Sequence, residues 1–468
     1  MADSCRRAAG RWLGLWLTLS LALAPVCTLF AQSTTTYTLA ALVDSAGRHL
    51  PLLLEKQALV ESAKAGITEA KHAFLPKLNA VEELSVGSAN DLTGPFLPVP
   101  GTLHAMAGGI DPASNYQAVT GNLASLYGEY ELTNFGLRGA KIANAKAFAG
   151  LSQADLDKQR YLLKWNIGKL YFAILRNRYQ LAVDAENIRR YESMLTISRA
   201  LTGSGVNPGV DSSLAQAGLS RTRVNFNEAT GVLNRLDQQL VYLTGVVNPG
   251  IAVDTAKNFT LPILPVDTAT PPLNPLADYF AKQKQQYDAE AILARKSYLP
   301  KVLLGAGGWA RGSSIQYNNV YESADKGLGY QRFNYLAGIG ITYDLFNGIH
   351  RRDRLNVISG QVKAADYALQ QQKLELHTQE IQADESIRVA KANLVELPTQ
   401  LRAATDAYRQ KEAQYQAGII NLVDLANASF ELFEAQSAWI RTVNDWYTAN
   451  LDKAAATGKL DLFIQTIK

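Results

Sequence analysis

The residues that most often carry catalysis or bind metals are few in this chain, and their spacing builds no reactive site. No two histidines stand in the HExxH spacing that places two imidazoles on one helix face for zinc. Three methionines are too few to line a path for soft metal ions. Both cysteines, Cys5 and Cys27, fall within the first thirty-one residues. The sequence therefore predicts no catalytic residues, no metal site and no cofactor.

One glycine-rich stretch, Gly305-Ala306-Gly307-Gly308, resembles a phosphate-binding loop in composition alone. A P-loop needs a lysine and a helix directly after the glycines, and neither follows here. The glycines instead lie inside an alternating pattern that is typical of a strand. We interpret them as small residues on one face of that strand.

Two aspartates are the most informative polar residues. Asp211 follows Gly205 by six residues, Asp424 follows Gly418 by the same distance, and each opens a helical pattern. A carboxylate at the start of a helix accepts hydrogen bonds from free backbone N–H groups and complements the helix dipole. We therefore expect both aspartates to be N-caps.

Both aspartates belong to an internal repeat with a constant offset of 213 residues. The residues of the first copy that recur at this offset are Tyr130, Leu132, Asn134, Arg138, Gly205, Asp211, Ala215, Thr244 and Gly245. Upstream the offset becomes 224, since Leu75-Pro76-Lys77 recurs as Leu299-Pro300-Lys301. A repeat that holds one offset so long indicates a duplicated architecture, with about eleven extra residues in the first copy.

The repeat predicts the domain organisation. Residues 32–249 form the first structural repeat and 276–468 the second, with a proline-rich linker at 250–275. Residues 1–31 have the basic start, apolar core and small-residue cleavage site of a signal peptide. An N-terminal membrane anchor, or a lipid on Cys27, is the alternative for this segment.

Charge and hydropathy narrow the class of protein. The formal net charge is +4, and removing the signal peptide takes away three arginines and one aspartate, which leaves +2. This small excess gives no reason to expect nucleic acid as a partner. Beyond the signal peptide no run approaches eighteen uninterrupted apolar residues, so no transmembrane helix is predicted.

The clearest strand is predicted at Phe333 to Leu345, where apolar residues alternate with small or polar ones. Soluble strands are usually about five or six residues long, whereas a strand that crosses a membrane needs about nine to eleven. The pattern therefore favours a membrane strand with an apolar face toward lipid. Three weaker strands are predicted at Leu78 to Val86, Asn115 to Leu132 and Val302 to Ala310.

Helices are predicted on both sides of each strand pair. Those before the strands, at about 52–74 and 276–298, end at a Leu-Pro pair because proline cannot continue a helix. After the last strand a helix of about sixty-five residues, or ~95 Å, is predicted at 350–415, and Pro398 should kink it. Return helices are expected at about 211–244 and 424–457.

Four strands in one chain cannot close a membrane barrel, since about eight is the practical minimum. An open sheet edge is not tolerated in lipid because its backbone groups would lack hydrogen bonds. Several copies of the chain must therefore share one barrel, and the long helices must continue it as a tube in the periplasm. The sequence thus predicts a mixed α and β membrane protein that forms a conduit.

The duplicated strand and helix plan resembles the TolC-type outer-membrane efflux proteins over essentially the whole mature chain. The residues that carry the resemblance are Leu75-Pro76, Leu299-Pro300, the turn from Asp344 to Gly348, and the stretch from Tyr415 through Gly418 to Asp424. The resemblance implies a homotrimer with a twelve-stranded barrel in the outer membrane and an α-helical barrel across the periplasm. It also implies docking to a periplasmic adaptor and an inner-membrane pump.

The resemblance also implies a gate in the second copy. Tyr415 matches the family's aperture tyrosine, whereas Asn427 and Ile420 stand where family members have a second acid and a linking arginine. A ring of three Asp424 side chains at the periplasmic aperture would favour cations and resist anions. The tip of the tube, marked by Gly205, Gly418 and Asp211, is the expected adaptor contact.

The resulting hypothesis is a passive exit duct of a tripartite exporter in the outer membrane. Small-molecule efflux and type I protein secretion both fit this sequence. Outside this class, a periplasmic coiled-coil structural protein without a pore is the alternative, and an envelope enzyme is a more distant one.

Overall fold

The structure is a computed structural model that describes residues 37–88, 90, 113–205, 208–247, 251, 274–317 and 320–467. The expected signal peptide, and the expected linker except for residues 251, 274 and 275, lie outside these ranges. The expected domain boundaries therefore stay a prediction.

The described chain passes twice through the order helix, strand, strand, long helix, return helix. The first copy contains α1 (Leu39–His49), α2 (Pro51–His72), β1 (Lys77–Gly87), β2 (Val119–Thr133), α3 (Leu137–Gly203) and α4 (Val210–Thr244). The second contains α5 (Pro275–Ser297), β3 (Lys301–Ser313), β4 (Ile315–Gln316), β5 (Val320–Tyr321), a 3-10 turn (Ala324–Leu328), β6 (Arg332–Thr342), α6 (Asn347–Gln416), α7 (Leu422–Ala456) and α8 (Leu460–Thr466). The sequence analysis did not anticipate α1 or α8.

The four long strands form one antiparallel sheet in the order β1-β2-β3-β6. In its centre Gly305 of β3 lies opposite Glu129 of β2 and Gly338 of β6. Strands β1 and β6 are the two edges, and neither edge has a second partner among the described strands. As far as the described residues go, the sheet is therefore open at both edges.

Three strand boundaries differ from the prediction by three or more residues. Strand β3 extends to Ser313 instead of Ala310, and side-chain hydrogen bonds explain the other two differences. Strand β6 ends at Thr342, three residues before Leu345, because the Asp344 carboxylate accepts a hydrogen bond from the Phe346 N–H at 2.8 Å and turns the chain into α6. Strand β2 begins at Val119 instead of Asn115. There the Asn115 side chain accepts from the Gln117 N–H at 3.0 Å, which turns the backbone before the strand starts.

The strand register separates an apolar face of the sheet from a polar face. On β6 the apolar face carries Phe333, Tyr335, Ala337, Ile339 and Ile341, all opposite apolar or small residues of β3. When the register is followed across β2 and β1, Glu82 is the one charged residue on this face among the described residues of the four-stranded sheet. The polar face carries lysine, glutamate and arginine residues from all parts of the sheet, and it also carries Gly305 and Gly307. The predicted alternation is therefore present across all four strands.

The two long helices carry the chain away from the sheet. Helix α3 has 67 residues and α6 has 70, so each is about 100 Å long at 1.5 Å per residue. Helix α6 continues without a break through Pro398. Helix α3 packs against α2, α4, α5 and α7, whereas α6 packs mainly against α5 and α7.

Within the described ranges, no helix is long and apolar enough to cross a membrane.

Three apolar clusters hold the helices together. The largest lies around the middle of α3, where the Phe172 ring stacks on Tyr447 at 5.1 Å and the Tyr161 hydroxyl donates to the Ala455 carbonyl at 2.7 Å. Helices α1 and α8 both pack into this cluster. A second cluster joins the far ends of α3 and α6 to the starts of α4 and α7, and a third surrounds Trp446.

The repeated glycines have a conformational reason. Gly205 and Gly418, which follow the long helices, have φ of 74° and 70°, and Gly245 and Gly458, which follow the return helices, have 68° and 78°. Only glycine adopts this left-handed conformation without strain, and it is the usual end of a helix. The 213-residue repeat therefore records four helix ends.

Candidate functional site

The two helix turns farthest from the sheet lie side by side, and we call them the tip: residues 204, 205, 208 and 209 between α3 and α4, and residues 417–421 between α6 and α7. The second apolar cluster holds the tip together. Its buried members are Met194, Leu195, Ala215, Leu219, Tyr408, Tyr415, Leu422, Leu425 and Leu432. Because all four helices contribute to it, the turns of the two copies end in one place.

The expectation that Asp211 and Asp424 are N-caps was wrong. The N-cap of α7 is Asn421, whose side-chain oxygen accepts from the Asp424 N–H at 2.9 Å. The N-cap of α4 is Gly209. Both aspartates lie in the first turn, where they still complement the helix dipole. The spacing Asn421-Leu-Val-Asp424 is that of a capping box and could have located the cap of α7.

The two aspartates differ in exposure although they are equivalent in the repeat. The Asp211 residue is 7% exposed, while Asp424 is exposed. Within the described residues Asp424 takes part in no ion pair. Of this equivalent pair, only the aspartate of the second copy is therefore accessible beside the tip.

The structure divides the four predicted gate residues into two pairs. Tyr415 is fully buried in the second apolar cluster, and its hydroxyl has no hydrogen-bond partner among the described residues. Ile420 packs partly buried against the same cluster. Asp424 and Asn427 are exposed, and their three-residue spacing places them on one face of α7. Only the second pair is accessible in the single chain.

The turn at Gly418 satisfies the last carbonyls of α6 and leaves apolar side chains exposed. The Gly418 N–H donates to the Tyr415 carbonyl at 3.0 Å, and the Ile419 N–H donates to the Gln414 carbonyl at 2.9 Å. Ile419 is 73% exposed, and Val210 beside the other turn is 59% exposed. The tip therefore offers apolar surface to a partner.

A buried polar layer connects α3 to α6 and α7, and the sequence analysis missed it. Both terminal nitrogens of Arg190 on α3 donate to the side-chain oxygen of Gln436 on α7 at 3.3 Å, and one also donates to Asn187. The guanidinium lies 5.8 Å from the centre of the Tyr408 ring on α6. Arg190 is 6% exposed, and this burial lowers its pKa.

The layer continues along α3 toward the sheet. The Gln180 side-chain nitrogen donates to Asp184 at 2.9 Å and to the Ser437 hydroxyl of α7 at 3.1 Å. Asp184 is buried, and the loss of hydration raises its pKa. One feature of the sequence could have revealed this layer. Arg190 is four residues from the apolar Met194 and so shares a helix face with it, and Met194 faces the core.

The histidines form no site in the described part of the chain. His49 packs against Gly245, and His377 lies 3.9 Å from Glu380 on the surface of α6. Across the described ranges, no group of three or more histidine, cysteine, aspartate or glutamate residues is placed to hold a metal ion.

Comparison with known proteins gives consistent matches. A family model described as outer membrane efflux protein matches residues 42–246 and 280–459. The cobalt-zinc-cadmium resistance protein CzcC of Cupriavidus metallidurans is 24% identical over 322 residues, which cover 67% of this chain and 72% of CzcC.

Solved structures share the architecture. The fold matches CusC, whose structure is described in terms of transmembrane channel formation, with a TM-score of 0.72 at 15% identity over 91% of this chain and 93% of CusC. It matches the outer membrane protein VceC of Vibrio cholerae with a TM-score of 0.71 at 14% identity over 90% and 96% of the two chains. At such low identity these similarities concern the fold.

Proposed function

This chain belongs to the outer membrane efflux protein family, and from that membership we propose how its copies build and close an exit duct. The protein is an outer-membrane channel of a tripartite efflux system and not an enzyme, and its helices form a tube in the periplasm. Channels of this family work as trimers with an adaptor and an inner-membrane pump. Nothing in the family match favours the type I secretion or pore-free alternatives.

We propose that edge strand β1 of one copy pairs with edge strand β6 of the next. Three four-stranded sheets would then close a barrel of twelve strands. The support is the open sheet, since both edges lack partners among the described residues and unpaired backbone is not tolerated in lipid. The apolar face that ends in Phe333 and Ile341 would then lie toward lipid.

We propose that the second copy forms the aperture of the duct. The observation that carries this is the difference between Asp424, which is exposed, and its equivalent Asp211, which is buried. Three Asp424 side chains around one axis would form an anionic ring with Asn427 beside them. Such a ring attracts cations and repels anions. Ile419 and Ile420 would narrow the same passage, and Tyr415 would support it from inside the subunit.

The tip is the proposed contact for the adaptor. Gly205 and Gly418 shape its turns, Asp211 is packed behind them, and Val210 and Ile419 expose apolar surface beside them. An exposed apolar rim of this kind fits a protein partner.

Conductance across planar bilayers tests the aperture. We expect the wild-type trimer to prefer K⁺ over Cl⁻, and Asp424→Asn, which keeps the side-chain size, to lose most of that preference. Asp424→Ala should also raise conductance because the shorter side chain widens the passage. The matched control is Asp211→Asn, which should leave the ion preference unchanged. Absence of any conductance would refute the channel, and unchanged selectivity in both Asp424 variants would refute the ring.

The same experiment addresses the cargo. CzcC is named for resistance to cobalt, zinc and cadmium, and an anionic ring suits divalent cations. We therefore propose divalent cations as one cargo class. With ZnCl₂ on one side of the bilayer, the reversal potential should report Zn²⁺ passage in the wild type and much less in Asp424→Asn.

A further inference from the structure

Basic residues gather at every place where a helix meets the sheet. Helix α2 ends with Lys71 and His72, and α5 ends with Arg295 and Lys296. The first eight residues of α6 contain three arginines and one histidine against a single acid, Asp353. We call the following residues the basic collar: Lys71, His72, Arg138, Lys141, Arg295, Lys296, His350, Arg351, Arg352 and Arg354.

Most of this charge has no ion-pair partner in the part of the chain that the structure describes. The first eighteen residues of α3 contain three cations and no acid. Within the described residues, Arg138 and Arg351 are exposed and take part in no ion pair. The Arg352 side chain is 76% exposed and lies 3.7 Å from its neighbour Asp353, while Arg354 is paired with Glu290. The collar therefore presents open positive charge to its surroundings.

An apolar band lies directly between the sheet and the collar. Leu345 is 86% exposed, Phe346 66% and Ile349 53%, and they continue the apolar face of β6 into the start of α6. Ile349 and Arg352 are three residues apart and so share one side of the helix. An exposed aromatic and aliphatic band followed by cations is the arrangement found where a protein leaves a bilayer.

We propose that the basic collar binds the phosphate groups of anionic phospholipids in the periplasmic leaflet of the outer membrane. The collar is continuous with the face of the sheet assigned to lipid, and its charge is opposite to that of the head groups. In a trimer, all twelve passages between helix and strand would lie at the same membrane surface. Each cation there contributes about fivefold to binding an anionic surface. The collar would thus fix the depth at which the duct sits.

Lipid binding to the purified full-chain trimer in neutral detergent tests the proposal. Native mass spectrometry compares bound phosphatidylglycerol with phosphatidylcholine of the same acyl chains. We expect the wild type to prefer phosphatidylglycerol, and R351Q/R352Q to lose about tenfold or more of that preference. The matched control R402Q/R409Q removes two exposed arginines near the other end of α6 and should behave as the wild type. Equal losses in both variants, or no preference in the wild type, would overturn the proposal.

Two further measurements separate the possible sources of the effect. R351K/R352K keeps the charge and should keep the preference, so a loss as complete as in the glutamine variant argues against attraction by charge. Inorganic phosphate at millimolar concentration should not displace the lipid if the apolar band holds the acyl chains. Displacement by phosphate alone would show that the collar is a simple anion site and would overturn the assignment to lipid.

Discussion

Asp184 is a carboxylate inside the helical bundle, with the neutral side chain of Gln180 as its hydrogen-bond donor. Burial raises its pKa in the folded protein above the ordinary value of 3.8. The folded state therefore holds this proton more tightly than the unfolded state does. Stability from this group is greatest below pH 3.8 and falls as pH rises through the raised pKa, because an ionised carboxylate must then stay buried.

Asp184→Asn removes the charge while keeping an oxygen that accepts from Gln180. We expect its Tm at pH 7 to exceed that of the wild type by about 1 °C, the shift for ~1 kcal/mol in a chain of 468 residues. The gain should shrink toward pH 4, where the wild-type carboxyl is increasingly protonated. Circular dichroism melting curves at the two pH values measure this.

The control is Asp157→Asn, because Gln153 donates to Asp157 with the same four-residue spacing on the same helix. The Asp157 side chain is 47% exposed, so its charge stays hydrated and its replacement should not stabilise. An equal gain from both variants would mean that burial is not the cause.

At the level of residues, sequence reasoning succeeded where the cause is local. Gly205 and Gly418 were identified from the repeat because a left-handed helix end requires glycine whatever surrounds it. The burial of Tyr415 and Arg190 depends on which helices lie against them, and one helix's sequence does not state its neighbours. Asn421 was missed as the N-cap of α7 although the three-residue spacing from Asn421 to Asp424 can be read from the sequence. The role had been assigned to Asp424 instead.

At the level of elements, the polar layer around Arg190 is one of the connections between α3 and the pair α6 and α7 that carries the proposed aperture. Apolar contacts tolerate small sliding, whereas hydrogen bonds to Gln436 hold one register. The Arg190 Nε has no partner within the described residues, so the group depends on the few acceptors that it has. The layer is therefore sensitive to the loss of one member.

We expect Gln436→Leu to lower stability by about 1–3 kcal/mol, because it leaves a buried guanidinium without its main acceptor. Arg190→Met should lower stability less. The double variant should lose less unfolding free energy than the two single losses added together. Thermal melts of the trimer measure the stability. If the layer also holds the aperture, Gln436→Leu should raise conductance in planar bilayers.

Gln410→Leu is the matched control, since it adds leucine at an exposed position of α6. It should change neither stability nor conductance. Strictly additive effects of Arg190→Met and Gln436→Leu would show that the two side chains do not act as a unit.

The elements themselves were predictable because their patterns are long. The period of two in β6 and the proline stops after α2 and α5 fixed element type and order. The end of β6 was misplaced because the alternation continues through Tyr343 and Leu345, while a hydrogen bond from the Phe346 N–H to the Asp344 carboxylate decides where the strand stops. Single hydrogen bonds of this kind leave no period in a sequence.

At the level of the whole molecule, the two faces of the sheet should respond differently to charge. Ala337 and Leu336 are neighbours in the middle of β6, both are exposed in the single chain, and they lie on the apolar and polar faces respectively. We expect Ala337→Lys to reduce assembly in the outer membrane strongly, since a lysine facing lipid costs about 2–4 kcal/mol at mid-membrane. Leu336→Lys, facing the lumen, should assemble nearly as the wild type does.

The measurement is the fraction of chain recovered from the outer membrane as a heat-modifiable oligomer. If Leu336→Lys were the more damaging change, the assignment of the two faces would be reversed. If neither mattered, the sheet would not be the membrane-embedded part.

Helix α3 ends at Gly203 and α6 at Gln416, which are 213 residues apart, and the glycines that follow keep the same separation. The two long helices therefore end at equivalent positions of the repeat, although α6 begins three residues earlier than α3 and their sequences have diverged. In a trimer, the six turns would then end at the same height and form a level rim. A coaxial partner can seat flat on such a rim and seal it without tilting, whereas an insertion of one helical turn in either copy would lift three of the six turns by about 5 Å and open a leak.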